Sequence, residues 1–245
     1  MNTNTSNPMG FSIEQARQYL MQGRAAPTVS RKLHSYSKAL ALKYGSISAA
    51  LILKYLAYCV RKSRPGADGS QRTIRSGAEI SAQYPYMSAS TIAATLQRIP
   101  NEVLWRQKTK SRKTGAQSTA YSFADPEVRK TAESDLAFFD PKEAKAHGVH
   151  EAILLHWLRN QIKLNMLKAT FSGYRQVSAT ELAPKLCISR ASISRAIKNL
   201  VEQGVLERNP KRNGKLSEYR INAPPPALAL NPPVLNPGNG ALTSG

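Results

Sequence analysis

Acidic residues are scarce in this chain: 15 Asp and Glu stand against 35 Lys and Arg, leaving a formal charge of +20 over 245 residues. Such an imbalance points to a polyanionic partner, nucleic acid first. Cysteine is nearly absent. Cys59 and Cys187 both fall in apolar helical stretches, which excludes a disulfide framework, suggests core positions and fits a reducing cytosol. No run approaches the eighteen or so apolar residues of a membrane span. The opening MNTNTSNPMG has neither the charged start nor the apolar centre of a signal peptide. A soluble, cytoplasmic, nucleoid-associated protein is therefore expected. Hydrophobic residues make up 41% of the chain, enough to bury one large core or two small ones.

The distribution of charge says more than its total. Residues 1–34 carry +3, 35–125 carry +10, 126–139 carry −1, 140–223 carry +8, and 224–245 carry none. The excess lies in two blocks of mixed composition rather than in a low-complexity arm, so both blocks are expected to face the same polymer.

Those blocks repeat one another. At an offset of 102 residues SISAALILKYL, from Ser46, falls on GVHEAILLHWL, from Gly148, with Ala50 on Ala152 and apolar partners at Leu51/Ile153, Leu53/Leu155 and Leu56/Leu158. The register persists through Glu79/Glu181, shifts by one at Ser88/Ser189 and Ile92/Ile193, and returns at Val103/Val205 and Leu104/Leu206. An internal duplication of about eighty residues per copy follows.

Each copy spells one order of elements. A long apolar helix, Ser48 to Lys62 or His150 to Met166, precedes a short strand, Gln71 to Ile74 or Tyr174 to Val177. A helix opened by serine follows, from Ser76 or Ser178, and Ser178 with Glu181 has capping-box spacing. A further helix starts at Ser88 or Ser189, ending near Ile99 or at Gly204. Two β runs then flank a basic turn, KTKSRKTGAQ or NPKRNGKL, and Asn213-Gly214 is a tight-hairpin signal.

This order, together with ELAPKLCISRASISRAIKNLVEQGVLER, resembles winged helix-turn-helix DNA-binding domains of bacterial regulators and of phage and plasmid replication proteins. The resemblance covers about two thirds of the chain. It implies a mainly α fold with small β-hairpin wings, an α+β protein of two tandem winged-helix domains at 35–125 and 146–223. A 126–145 linker joins them; 1–34 is an N-terminal extension and 224–245 an extended Pro-rich tail.

The stretch ISRASISRAIKNL now makes sense. With Ser189 as cap, Ile193, Ala196, Ile197 and Leu200 share one face. Arg190, Ala191, Ser192, Ser194, Arg195, Lys198 and Asn199 are expected toward solvent. A major groove admits such a helix, and arginine can donate two parallel hydrogen bonds to guanine. Arg190, Ser192 and Arg195 are therefore expected at base edges, Lys198 and Asn199 nearer phosphate. Lys211, Arg212 and Lys215 on the second wing would clamp flanking backbone or minor groove.

The first copy differs. Its third helix turns Ala89, Ser90, Thr91, Ala94, Gln97 and Arg98 outward behind Ser88, with one cation, while its wing holds Lys108, Lys110, Arg112 and Lys113. Two uses stay open: holding double-stranded DNA chiefly through wing and backbone, or pairing with another protomer in a homodimer.

Enzyme chemistry finds no support. No phosphate-cradling loop ends in Gly-Lys-Ser/Thr. His156-Trp-Leu-Arg159 has the histidine–arginine spacing of tyrosine recombinases but lies inside the repeat's first helix. HGVH has the wrong spacing for a rolling-circle nickase, and His147 with His150 lacks further ligands for a metal, so neither metal nor cofactor is expected. The expected function is non-enzymatic, sequence-specific DNA binding in transcriptional regulation. A plasmid or phage replication initiator is the second reading, an architectural or partition protein the third. A protein partner would use residues 12–23, a short helix, or the C-terminal tail; no membrane is involved.

Overall fold

The structure is a computed structural model and describes residues 33–66, 69–110, 117–165, 173–210 and 217–222. The helix expected at 12–23, the expected Pro-rich tail and the turn expected at Asn213-Gly214 lie outside these residues. The described residues form nine helices and three small antiparallel sheets, an α+β arrangement dominated by helix.

The chain enters through β1 (His34–Ser37), and the last residue of that strand caps the next element. Ser37 Oγ accepts from the Leu40 amide, opening α1 (Lys38–Lys43), and donates to the Thr131 carbonyl at 2.8 Å. One buried hydroxyl thus satisfies a helix start and a distant carbonyl. Gly45, at φ 59, turns the chain into α2 (Ile47–Lys62), capped by Ser46. Its apolar residues face inward on nearly every side, from Ile47 through Leu51, Ile52, Leu53 and Leu56 to Val60, so the helix runs through the middle of the core.

After β2 (Thr73–Arg75) come α3 (Gly77–Gln83) and α4 (Ala89–Arg98), then β3 (Leu104–Lys110) and β4 (Gln117–Phe123). The capping box expected at Ser178 is complete at Ser76, where the Glu79 carboxylate also accepts the Ser76 amide at 2.7 Å. β4 lies between β2 and β3, antiparallel to both.

The stretch expected as a linker is structured: α5 (Pro126–Ala132), β5 (Leu136–Phe139) and α6 (Pro141–His147), whose helices start at Asp125 and Asp140 caps followed by proline. β5 pairs with β1, and Phe139 is fully buried, whereas Phe138 stays exposed. Gly148, at φ 113, then leads into α7 (Val149–Asn165), β6 (Arg175–Gln176), α8 (Ala179–Leu186), α9 (Arg190–Glu202), β7 (Leu206–Arg208) and β8 (Glu218–Ile221). The third sheet has the order β6-β8-β7, the same as β2-β4-β3.

The starts of α2 and α7, β2 and β6, α3 and α8, and β3 and β7 each lie 102 residues apart. Leu53 and Leu155, matched in the sequence, are both fully buried, and one continuous apolar cluster includes residues of both halves. Cys59 is buried, as expected, but Cys187 is not a helical core residue: it sits half-buried at φ 54 as the left-handed cap of α8. The chain must reverse there to start α9, and that reversal leaves the side chain only half-buried against the core.

Candidate nucleic-acid interface

The face of interest is built from α8, the turn at Cys187–Ser189, and α9. Ser178 Oγ accepts from the Glu181 amide, starting α8, whose Leu182 and Leu186 are buried. Ile188 closes the turn from inside, and Ser189 Oγ accepts from the Ser192 amide at 3.1 Å, fixing the first turn of α9. Ile193, Ala196 and Leu200 are buried and Ile197 packs against them, the expected inner face.

Arg190, Ala191, Ser194, Arg195 and Lys198 are exposed, while Ser189 shares its hydroxyl with the half-buried Ser192 at 2.9 Å. Among the described residues neither Arg190 nor Arg195 is in an ion pair; Lys198 stands 3.7 Å from Glu202 one turn on. Two guanidiniums one and a half turns apart on a capped helix, without a carboxylate to neutralise them, can each offer paired N–H donors to an acceptor edge.

Asn199 departs from the solvent-facing expectation. It is half-buried, and its Nδ2 donates to Glu151 Oε1 at 2.9 Å. The reason is Glu151 itself, a buried carboxylate in the first turn of α7 that needs a donor as well as the helix's N-terminal dipole. Nothing in the sequence marked this pair, because Glu151 and Asn199 sit 48 residues apart.

The wing behind α9 is locked at its base. Glu207 and Arg220 are cross-strand partners, joined by Arg220 Nε at 3.0 Å and Nη2 at 2.7 Å. Tyr174 donates to the other Glu207 oxygen at 2.7 Å, and the Arg220 guanidinium lies over its ring. The hydrogen bonds from Tyr174 and Arg220 hold the Glu207 carboxyl below its ordinary range.

The equivalent face of the first half is polar rather than cationic. Ser88 caps α4 by accepting the Thr91 amide at 3.1 Å and lies 2.9 Å from Ser90 Oγ and 2.8 Å from Thr91 Oγ1. Ser88, Ser90, Thr91, Ala94, Gln97 and Arg98 are all exposed, and Ile92 and Thr95 face the core. Arg106 on β3 anchors the helix end by donating to the carbonyls of Leu96 and Ile99. Lys108 and Lys110, two apart on β3, are exposed on a hairpin paired along seven residues. Arg112, Lys113, Lys211, Arg212 and Lys215 lie outside the described residues.

The histidines take structural partners. His147 Nδ1 is 2.6 Å from Gln203 Oε1, and Asn160 lies 3.1 Å from His156. Arg159 binds Glu143 at 2.6 Å. Burial lowers the pKa of His150, opposed by Glu151 and reinforced by Arg195. Among the described residues no group of three or more His, Cys, Asp or Glu could hold a metal, and no helix is long and apolar enough to cross a membrane.

Residues 173–215 match the MarR family, a family of non-enzymatic winged-helix DNA-binding regulators. The match runs from the approach to β6 through α8 and α9 into the wing. The likeness is confined to this segment and supports a winged-helix DNA-binding unit there. No curated protein matches the chain.

Proposed function

We propose that the protein is a sequence-specific double-stranded DNA-binding regulator of transcription with two winged-helix units in tandem. The observation that carries this reading is the exposed Arg190–Arg195 face on α9, inside the segment that matches winged-helix regulators. Arg190 and Arg195 contact base edges, with Ser192 and Ser194 filling between them, and Lys198 contacts phosphate. Lys108 and Lys110 on the first hairpin hold the flanking backbone, together with the cations that the sequence places between the paired strands, Arg112 and Lys113 in the first half and Lys211, Arg212 and Lys215 in the second. The repeated element order and the two sheets of like strand order support reading the first half as a second unit of the same kind. Its α4 face, rich in hydroxyls with Gln97 and Arg98, suits hydrogen bonding to DNA with less charge. Footprinting the full chain on the DNA upstream of its own gene tests this: one or two protected sites are expected. An array of direct repeats would instead indicate a replication initiator, and unbroken coverage an architectural protein.

A further inference from the structure

The two strands that join the halves stand at equivalent positions of the repeat. β1 (His34–Ser37) and β5 (Leu136–Phe139) lie 102 residues apart, the same offset that relates α2 to α7. They pair antiparallel as His34↔Phe139, Ser35↔Phe138, Tyr36↔Ala137 and Ser37↔Leu136. Replacing every residue by its counterpart turns the first pair into Leu136↔Ser37, which is the fourth, and the second into Ala137↔Tyr36, which is the third. The register maps onto itself. That is the property of an isologous contact, in which the same patch meets itself across a two-fold axis. A head-to-tail arrangement lacks it.

The surroundings follow the same plan by element rather than by residue: the counterpart of the buried Tyr36 is Phe138, which is exposed. Tyr36, on the strand of the first half, donates to the carbonyl of Leu186 beside the helix-helix turn of the second. Phe139, on the strand of the second half, packs against Tyr86 in the helix-helix turn of the first, ring centroids 5.6 Å apart. Gly45 before α2 and Gly148 before α7, one position out of register with each other, both take positive φ. The starts of those two helices, Gly45–Ser48 and Val149–Glu151, line one groove of about 390 Å³ together with the Cys187–Ser189 turn of the second half.

We infer that this single chain is a covalent pseudo-dimer, its halves related by a local two-fold axis through the β1–β5 pair, and that it reads an imperfect inverted repeat in DNA as one protomer. The inference rests on the DNA-binding reading above and names the class of site. Two-fold related units place their reading helices on half-sites of opposite orientation, about one helical turn or a multiple apart. Here the units differ. α9 carries Arg190 and Arg195, α4 carries hydroxyls, Gln97 and one arginine, so the two half-sites differ in sequence and one is read more strictly.

The test is selection of bound duplexes from a random pool by the full chain, repeated with Arg195→Ala, with native mass spectrometry of the winning complex. Expected are an imperfect inverted repeat, one chain per duplex, and a loss of base preference confined to one half-site with Arg195→Ala. Reversing one half-site in the duplex should weaken binding on the order of tenfold to a hundredfold. A direct repeat, a lone half-site, two chains per duplex, or loss of preference in both halves would overturn the inference while leaving DNA binding in place. Failure to enrich any motif would remove the sequence-specific reading, and the inference with it.

Discussion

The phenol of Tyr36 donates to the carbonyl of Leu186 at 2.6 Å, joining residues 150 positions apart in the sequence. Tyr36 is fully buried, and burial raises its pKa well above the ordinary phenol value, so the proton needed for donation is always there. The bond locks the strand of one half onto the helix-turn-helix of the other. Tyr36→Phe removes the donor and leaves the carbonyl without it. A loss of about 0.5–1.5 kcal/mol is expected in urea unfolding, larger if no water reaches the carbonyl. An unchanged midpoint would show that the contact holds nothing.

Gly148 and Gly45 occupy equivalent turns and predict unequal costs. Gly148 has φ 113 and ψ 160, a region glycine alone visits readily, and a Cβ there would lie 2.5 Å from a Glu151 carboxylate oxygen. At Gly45, φ 59 is merely left-handed and nothing lies within 4 Å. Gly45→Ala is expected to cost about 1–2 kcal/mol. Gly148→Ala is expected to cost about 1–3 kcal/mol for backbone strain alone, with displacement of Glu151 from Asn199 in addition. Denaturation of both variants decides the order; equal losses would contradict the Glu151 contact.

Much of this was legible in the sequence. The offset of 102 matched Leu53 to Leu155 and Ala50 to Ala152 because both copies bury the same helix face, and burial preserves residue type. The serine caps, the inner face of α9 and its exposed arginines follow from periodicity and capping chemistry. The extension of the repeat upstream to β1 and β5 was not legible. HSYS and LAFF share no residue, since a strand pair needs only backbone hydrogen bonds and a few buried rings. The turn at Asn199 toward Glu151 was also hidden, because it satisfies a buried charge from a distant helix.

Arginine and lysine should separate on the DNA. Arg195→Ala is expected to weaken the cognate site by about 1–3 kcal/mol and relax one base position, whereas Lys110→Ala or Lys211→Ala weakens cognate and random duplexes alike. Equal loss on both duplexes from Arg195→Ala would remove that residue from base readout.

Acid should destabilise the fold through two buried histidines. Burial lowers the pKa of both His150 and His156 from the ordinary 6.5. The unfolded chain therefore takes up protons first as pH falls, so the stability these neutral rings contribute is complete above about 6.5 and is lost as pH drops through that value toward the folded pKa. The Glu79 and Glu207 pKa values are lowered from 4.5, so their contributions are lost only at more acid pH. Thermal melting at pH 7.5 and 5.5 should show a lower Tm at the acid end, with a smaller drop in the His150→Gln/His156→Gln variant. A Tm that rises on acidification would refute the assignment.

The reading of this chain depends on cationic side chains meeting phosphate and bases, and salt reports that contact directly. Fluorescence titration of the full chain into a duplex carrying its selected site, at 50 and 200 mM salt, measures it. Contacts with six to ten phosphates predict a fall in affinity of about 10³ to 10⁵ across that range. Arg190→Ala/Arg195→Ala should keep a salt-dependent complex yet lose its preference for the selected site over random DNA. No complex at 50 mM salt, or an affinity indifferent to salt, would contradict the account.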